Sequence, residues 1–466
     1  MVTQGDPAEA FAHVQARHAR CVWLDGGGAR AWSRRRSLIG WLEDDDVSIS
    51  YDATRREVTR HAGGRSVVVG DDPFVVLERE LDAGHPTDQW FGYFGYAARP
   101  DLPAAADPDL PDAVWLRPTH IREYDHPALT AATPPDRPSG VSSEVEGQAG
   151  LTGASEGPPR PMSEVRSAYP IRAGADFGSA TGGPAWPSTP LDTPEGVPDD
   201  YAKAFATVQQ HLHAGNSYEV NLTYRTRATS PVDPLDAYLR LRAINPAPYA
   251  GFLQHDVGGA RAWLLSSSPE RYALVTDDRI LETKPIKGTT LRGSTPEEDA
   301  AARDHLAGDP KFRSENLMIV DLLRNDLAMV CDVGTVEVPV LMEVEPYASV
   351  HQLVSTVRGR LREGVTTVGA LRALFPAGSM TGAPKLRTME IIAEVEGTPR
   401  GAYSGAFGWI SGDGRADLGV IIRTLVSDGT GYVLGTGGGI TVASDLVEEY
   451  DETRWKAARL LQAISR

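Results

Sequence analysis

Lys287 sits in the stretch Thr283-Lys284-Pro285-Ile286-Lys287-Gly288-Thr289-Thr290, between a proline and a glycine. Pro285 fixes its own φ and biases Lys284 towards extended backbone. Gly288 lets the chain turn and lets a ligand approach backbone N–H groups. The amine is therefore aimed and can meet an anion; by spacing alone it can equally be a surface lysine in a turn. Glu270 follows Ser267-Ser268-Pro269 and precedes Arg271. As a general acid it needs a dry pocket that raises its pKa. The plain alternative is an ion pair with Arg271.

Three further acids could hold a cation. Glu449 and Glu452 are spaced i, i+3 on a helical pattern and share a face, where two carboxylates repel unless a cation joins them. With Glu315 they could supply oxygen ligands to Mg²⁺. Acids in a first helical turn are also favoured by the helix dipole alone, and Glu315 can be read as a solvated helix charge. Gly435-Thr436-Gly437-Gly438-Gly439-Ile440 reads as a glycine-rich loop after a strand, whose N–H groups can cradle a carboxylate or phosphate. No Gly-Lys-Ser/Thr follows it and the early-strand context is missing, so it is neither a Walker loop nor a dinucleotide fingerprint. Arg423 and Tyr403 could complete an anion clamp. Pro376 to Lys385 adds a small-residue turn, with Ser379 and Thr381 as hydroxyl donors.

These residues need elements to position them. Asp72-Pro73 opens a helix through an N-cap and a first-position proline, and Thr295-Pro296-Glu297-Glu298 opens another. Helices are expected over 199–214 and 234–244, over 316–329, where Leu317, Val320, Leu323 and Leu327 form a stripe, and from about Leu446. Arg20–Leu24, Ser37–Trp41, Ser66–Val69, Ser217–Tyr224, Arg271–Val275, Arg279–Thr283 and Val420–Val426 read as strands. In Trp90 to Tyr96, glycines inside an aromatic run point to close backbone packing. Short, turn-rich strands between helices favour α+β architecture with antiparallel sheets.

Composition sets the limits. The chain has 466 residues, 41% of them hydrophobic, enough for two or three domains. Residues 1–126 read as a strand-rich N-terminal domain. Residues 127–197 are dominated by Pro, Gly and Ser and read as a disordered linker or insertion. Residues 198–466 are regular in texture again and hold every candidate residue named above. The net charge of −17 argues against a sequence-independent nucleic-acid binder. No apolar run reaches the roughly 18 residues of a membrane span, and no secretory signal opens the chain. Cys21 and Cys331 cannot make a disulfide framework, which points to a reducing cytoplasm.

Ser268-Pro269-Glu270-Arg271, Pro285 to Thr289, Glu315 to Asp326, Gly378 to Lys385, Tyr403 to Ala406, Ile421-Ile422-Arg423, Gly437 to Gly439 and Asp451 to Arg454 stand in the order of a known family. Over residues 199–466 the chain resembles the chorismate-utilising enzymes, which include anthranilate synthase component I and aminodeoxychorismate synthase component I. The first 126 residues resemble their N-terminal domain less closely. The resemblance implies two antiparallel β-sheets packed face to face with helices around them. Lysine between Ile286 and Gly288, where anthranilate synthases carry alanine, implies the branch that forms 4-amino-4-deoxychorismate for 4-aminobenzoate and folate. An anthranilate-forming enzyme, a specialised-metabolism homologue and a non-catalytic chorismate-binding subunit are the alternatives.

The resemblance also implies roles. Mg²⁺ on Glu315 and Glu452, with Glu449 in support, would bind the ring carboxylate of chorismate. Gly288, Thr289, Thr381, Tyr403, Arg423 and Gly437, Gly438 and Gly439 would hold the rest. Glu270 would protonate the departing C4 hydroxyl, and Lys287 would attack C2, to be displaced as ammonia enters at C4. An amine with a pKa of about 10.4 is protonated at neutral pH, so Lys287 must be desolvated or lie near another cation. Gln352 stands where anthranilate synthases carry a histidine; His351, one residue earlier, would point to the opposite strand face. Asp25-Gly26 departs from the acid-Ser pair those enzymes use for tryptophan feedback. Neither cysteine lies in a Gly-x-Cys-x-Gly elbow, so ammonia is expected from a separate glutamine amidotransferase subunit or from solution.

Overall fold

Alternation along single strands explains the layering. In the strand Arg20–Asp25, Val22 faces one apolar cluster and Trp23 another; in Gln89–Phe94, Phe91 and Trp90 divide in the same way. The computed structural model describes residues 6–28, 36–126, 196–347 and 350–465. Among these, the strands form two antiparallel sheets of nine and twelve strands. Val22, Leu253 and Leu264 of the first sheet meet Phe91, Tyr93, Val114 and Phe407 of the second, so the sheets pack face to face.

Helices cover the outer faces. Phe11, Tyr238, Leu241 and Leu460 close over Trp23, Phe252 and Leu434 of the smaller sheet. Phe74, Leu77, Ile319, Leu323 and Leu371 close over Ile49, Trp90 and Phe94 of the larger one. The helices begin where their caps predict. Asp72 caps Pro73–Ala83, Asp233 caps Pro234–Ile244, and Thr295 caps Pro296–Gly308. No described helix is long and apolar enough to cross a membrane. The aromatic-glycine run is structural: a Cβ on Gly92 would collide with the Val114 carbonyl of the adjacent strand.

The expected boundary between residues 1–126 and 198–466 does not separate two bodies. Arg20–Asp25 pairs with Tyr249–His255, and Gln89–Phe94 pairs with Ala406–Ser411. Both sheets draw strands from both parts, and the described residues before 127 and after 195 form one compact unit. Local patterning stops at a compositional break; strand pairing crosses it. The linker expected over 127–197 lies outside the described residues, except for its last two positions.

Two element assignments are also corrected. Gly435 to Ile440 is not a loop but the end of the strand Tyr432–Ile440, paired residue by residue with Glu219–Ala228. The expected strand Val420–Val426 is broken: Ala416–Val420 and Thr424–Ser427 belong to different sheets, and Arg423 between them has φ +49°.

Candidate active site

A cavity of about 350 Å³ opens between the glycine strand and the helices Pro310–Ala328 and Leu446–Ile464. Lys287 reaches it from the strand Ile286–Leu291. The ladder with Val350–Arg360 slips there: Ile286 faces Val354, yet Thr289 faces Gln352. The extra residue is a β-bulge, which re-aims a side chain. Gly288 takes φ +93° at that bulge, and a Cβ on it would press on Phe312 at 2.9 Å. Lys287 and Gly288 are thus one device, as their spacing in sequence suggests.

The partner of Lys287 was not legible. Its Nζ donates to Glu219 Oε1, and Glu219 is fully buried with Oε2 unpartnered. Glu219 opens the strand Glu219–Ala228, and a Cβ on Gly439 would strike the Glu219 carboxylate and lie 3.1 Å from Lys287 Nζ. Bare backbone at Gly439 therefore makes room for the pair. Alternation in Glu219-Val220-Asn221-Leu222-Thr223 marks a polar face, but only the fold buries that face against Gly437 to Ile440. Burial pulls the Lys287 pKa down; Glu219, Glu315 and Glu270 outweigh it and hold the amine above the usual lysine value. The expected desolvation is present, but the acids around the amine outweigh it, so Lys287 rests protonated.

Glu270 lies just before the strand Arg271–Val275, buried, and accepts from Ser379 Oγ at 2.6 Å. Arg271 turns away to Glu282 and Asp417, which removes the ion-pair alternative. Burial pushes the Glu270 carboxyl up to about 7, although Ser379, Lys287, Lys456 and Arg423 oppose the shift. This is the dry acid that the sequence required.

Glu315, Glu449 and Glu452 all line the cavity. Glu315 is buried on the inner face of its helix, whereas Leu317 of the expected stripe is exposed; Ile319, Val320, Leu323 and Leu327 are the buried side. Burial, with repulsion from Glu219 and Glu449, raises Glu315 to about 7. Glu449 accepts from Lys311 at 3.0 Å and Ser444 at 2.7 Å, and Glu452 pairs with Lys456 at 2.8 Å. Among the described residues no three His, Cys, Asp or Glu side chains converge as a metal cage, and lysines hold two of these carboxylates. Mg²⁺ takes few protein carboxylates and keeps waters, so these acids could serve it; a cation beside Glu315 would favour the ionised form that burial, and then the neighbouring acids, disfavour.

The anion-binding side is mixed. Gly288, Thr289, Tyr403, Arg423, Gly437, Gly438 and Gly439 line the cavity as expected. Thr424–Ser427 pairs only as far as Leu434, so Gly435 to Gly439 have no strand neighbour on that edge. Lys456 donates to the Gly437 carbonyl at 2.8 Å. The Tyr403 ring packs on Gly435 and under Arg225, 4.8 Å from its centroid. Thr381 is not at the cavity: it is fully buried, and its hydroxyl donates to the Gly378 carbonyl at 3.2 Å, closing its own turn. Ser379, two residues earlier, is the hydroxyl that reaches the site. Gln352 lines the cavity, while His351 turns to Asp299 at 3.0 Å, as strand alternation requires. Asp326 pairs with Lys385 at 2.6 Å and serves packing.

The profile of the chorismate binding enzyme family matches residues 21–462. An aminodeoxychorismate synthase of Streptomyces griseus is 40% identical, with 99% of this chain and 63% of that protein covered. One of Streptomyces pristinaespiralis is 38% identical, over 98% and 64%. The chain thus spans less than two thirds of the length of these relatives. Aminodeoxychorismate synthase component 1 of Escherichia coli is 43% identical over 58% of each chain. The crystal structure of anthranilate synthase component I from Streptococcus pneumoniae superposes with a TM-score of 0.66 at 26% identity, covering 92% of this chain and 93% of that one.

Proposed function

The chain belongs to the chorismate binding enzyme family, and we propose that it replaces the C4 hydroxyl of chorismate with an amino group, giving 4-amino-4-deoxychorismate. One observation carries the reading: a buried lysine, aimed by a bulge and held by a carboxylate, shares a cavity with a buried acid of pKa about 7. The names of the Streptomyces and Escherichia coli relatives support it.

Lys287 rests as an ammonium and must lose a proton before it can attack. Glu219 is in hydrogen-bond contact and has a free second oxygen, so it takes that proton. The Lys287 nitrogen then bonds to C2, both conjugated ring double bonds shift one place towards C4, and the C4 hydroxyl leaves as water on receiving the Glu270 proton. Ammonia bonds to C4, both double bonds shift back, and Lys287 leaves C2 as the amine; the new C4 ammonium returns a proton to Glu270, and Glu219 returns its proton to Lys287. Arg423 and the free edge of the glycine strand hold carboxylate. Glu315 and Glu452, with Glu449, would hold Mg²⁺, which supplies charge stabilisation to a bound carboxylate. The ammonia comes from a glutamine amidotransferase or from solution. The component naming of the Escherichia coli relative favours a partner protein, and two buried free thiols suit a cytoplasmic setting.

Product identity tests the reading. Chorismate, Mg²⁺ and ammonium should yield aminodeoxychorismate by mass spectrometry. Fluorescent anthranilate released with pyruvate would place the chain in the other branch.

A further inference from the structure

A second cavity, of about 20 Å³, adjoins the first and shares Pro269, Gln352 and Arg423 with it. Its remaining walls include Asn245, Ala247 and Ser267. The space holds about one water-sized molecule. Gln352 is 1% exposed, and its Oε1 has no hydrogen-bond partner. Burying a carbonyl oxygen unpaired is costly, so this acceptor calls for a donor ligand. Asn245 and Ser267 satisfy one another: Asn245 Nδ2 donates to Ser267 Oγ at 2.8 Å, and Ser267 Oγ donates to the Asn245 carbonyl. Among the described residues no hydrogen bond or ion pair holds the Arg423 guanidinium; it lies 5.7 Å from the centre of the Trp455 ring, within the field of Tyr347, Glu452 and Glu270.

Gln352 and Arg423 line both cavities, so the boundary between chamber and main cavity carries one unpartnered acceptor and one cationic donor. Ammonium carries only donors and a charge that Arg423 repels. Neutral ammonia carries donors for Gln352 and a lone pair for Arg423. The position also fits. Pro269 lines both cavities and precedes Glu270, the acid at the departing hydroxyl, and Gln352 stands opposite Thr289 beside the Lys287 bulge. We propose that this chamber binds neutral ammonia and admits it to the C4 side of the main cavity through Gln352 and Arg423. The proposal rests on the amination reading above.

The test uses the full chain with chorismate, Mg²⁺ and varied ammonium chloride, the aminated product being measured by mass spectrometry. Gln352→Met removes the acceptor at similar volume; Ala247→Val fills the chamber from a wall that touches no part of the main cavity. Both should raise the KM for ammonia about tenfold, and Ala247→Val should leave the KM for chorismate within about twofold of wild type. In wild type the KM counted as neutral ammonia should stay constant as pH rises. If wild type aminates chorismate and both variants keep its ammonia KM, the chamber assignment falls alone. A parallel rise in both KM values for Ala247→Val also overturns it. If wild type forms no aminated product, the amination reading itself fails and takes the chamber with it.

Discussion

In the proposed reaction Glu270 is the acid and Lys287 the nucleophile, and each makes a separate prediction. Glu270 is protonated below about pH 7 and loses its proton above that value, because burial raises its pKa. Protonation of the leaving hydroxyl needs the acid form, so kcat/KM for chorismate should fall as pH rises through about 7. Glu270→Gln should lower kcat about 10²-fold or more and erase that limb from the pH profile. Glu219→Gln should lower kcat by about 10² while the KM for chorismate moves little, because it removes a proton acceptor rather than a substrate contact. Lys287 and Glu270 stood out as candidates because Pro and Gly restrict the backbone beside them, and the family resemblance supplied their roles. Glu219 was not, since an acid in an alternating strand looks the same whether it meets water or a buried lysine.

The glycine strand and the bulge place these side chains. Gly288→Ala would force φ +93° on an alanine and press its Cβ on Phe312, so it should cost about 1–2 kcal/mol in urea unfolding and reduce turnover by moving the amine. Helices such as Pro234–Ile244 and Pro73–Ala83 could be read to the residue or nearly so, because Asp caps and first-turn prolines are local signals. Tyr432–Ile440 could not be read as a strand throughout. Glycine has low β propensity, and here it is the ladder with Glu219–Ala228 and the need for bare backbone beside Glu219 that decide. Thr381 failed for a related reason: a hydroxyl in a tight turn bonds its own carbonyls first.

Across the whole molecule, two sheets interleave strands from both sides of residues 127–195. Face-to-face antiparallel sheets followed from the resemblance; the sharing of strands did not, because pairing between Arg20–Asp25 and Tyr249–His255 leaves no local mark. Chemical unfolding of the described unit should therefore be one transition, with tryptophan fluorescence and far-UV circular dichroism coinciding. A stable fragment starting at residue 198 would contradict that. Magnesium adds a further test at this scale: chelation should abolish turnover and leave the circular dichroism unchanged, and restored Mg²⁺ should return activity.

The central claim is that a buried amine forms the first bond to the substrate. It is tested most directly by Lys287→Ala assayed with saturating chorismate, Mg²⁺ and ammonium, its fold checked by circular dichroism. Aminated product should form at least about 10³-fold more slowly than with wild type. A folded variant that aminates chorismate at the wild-type rate would contradict the account.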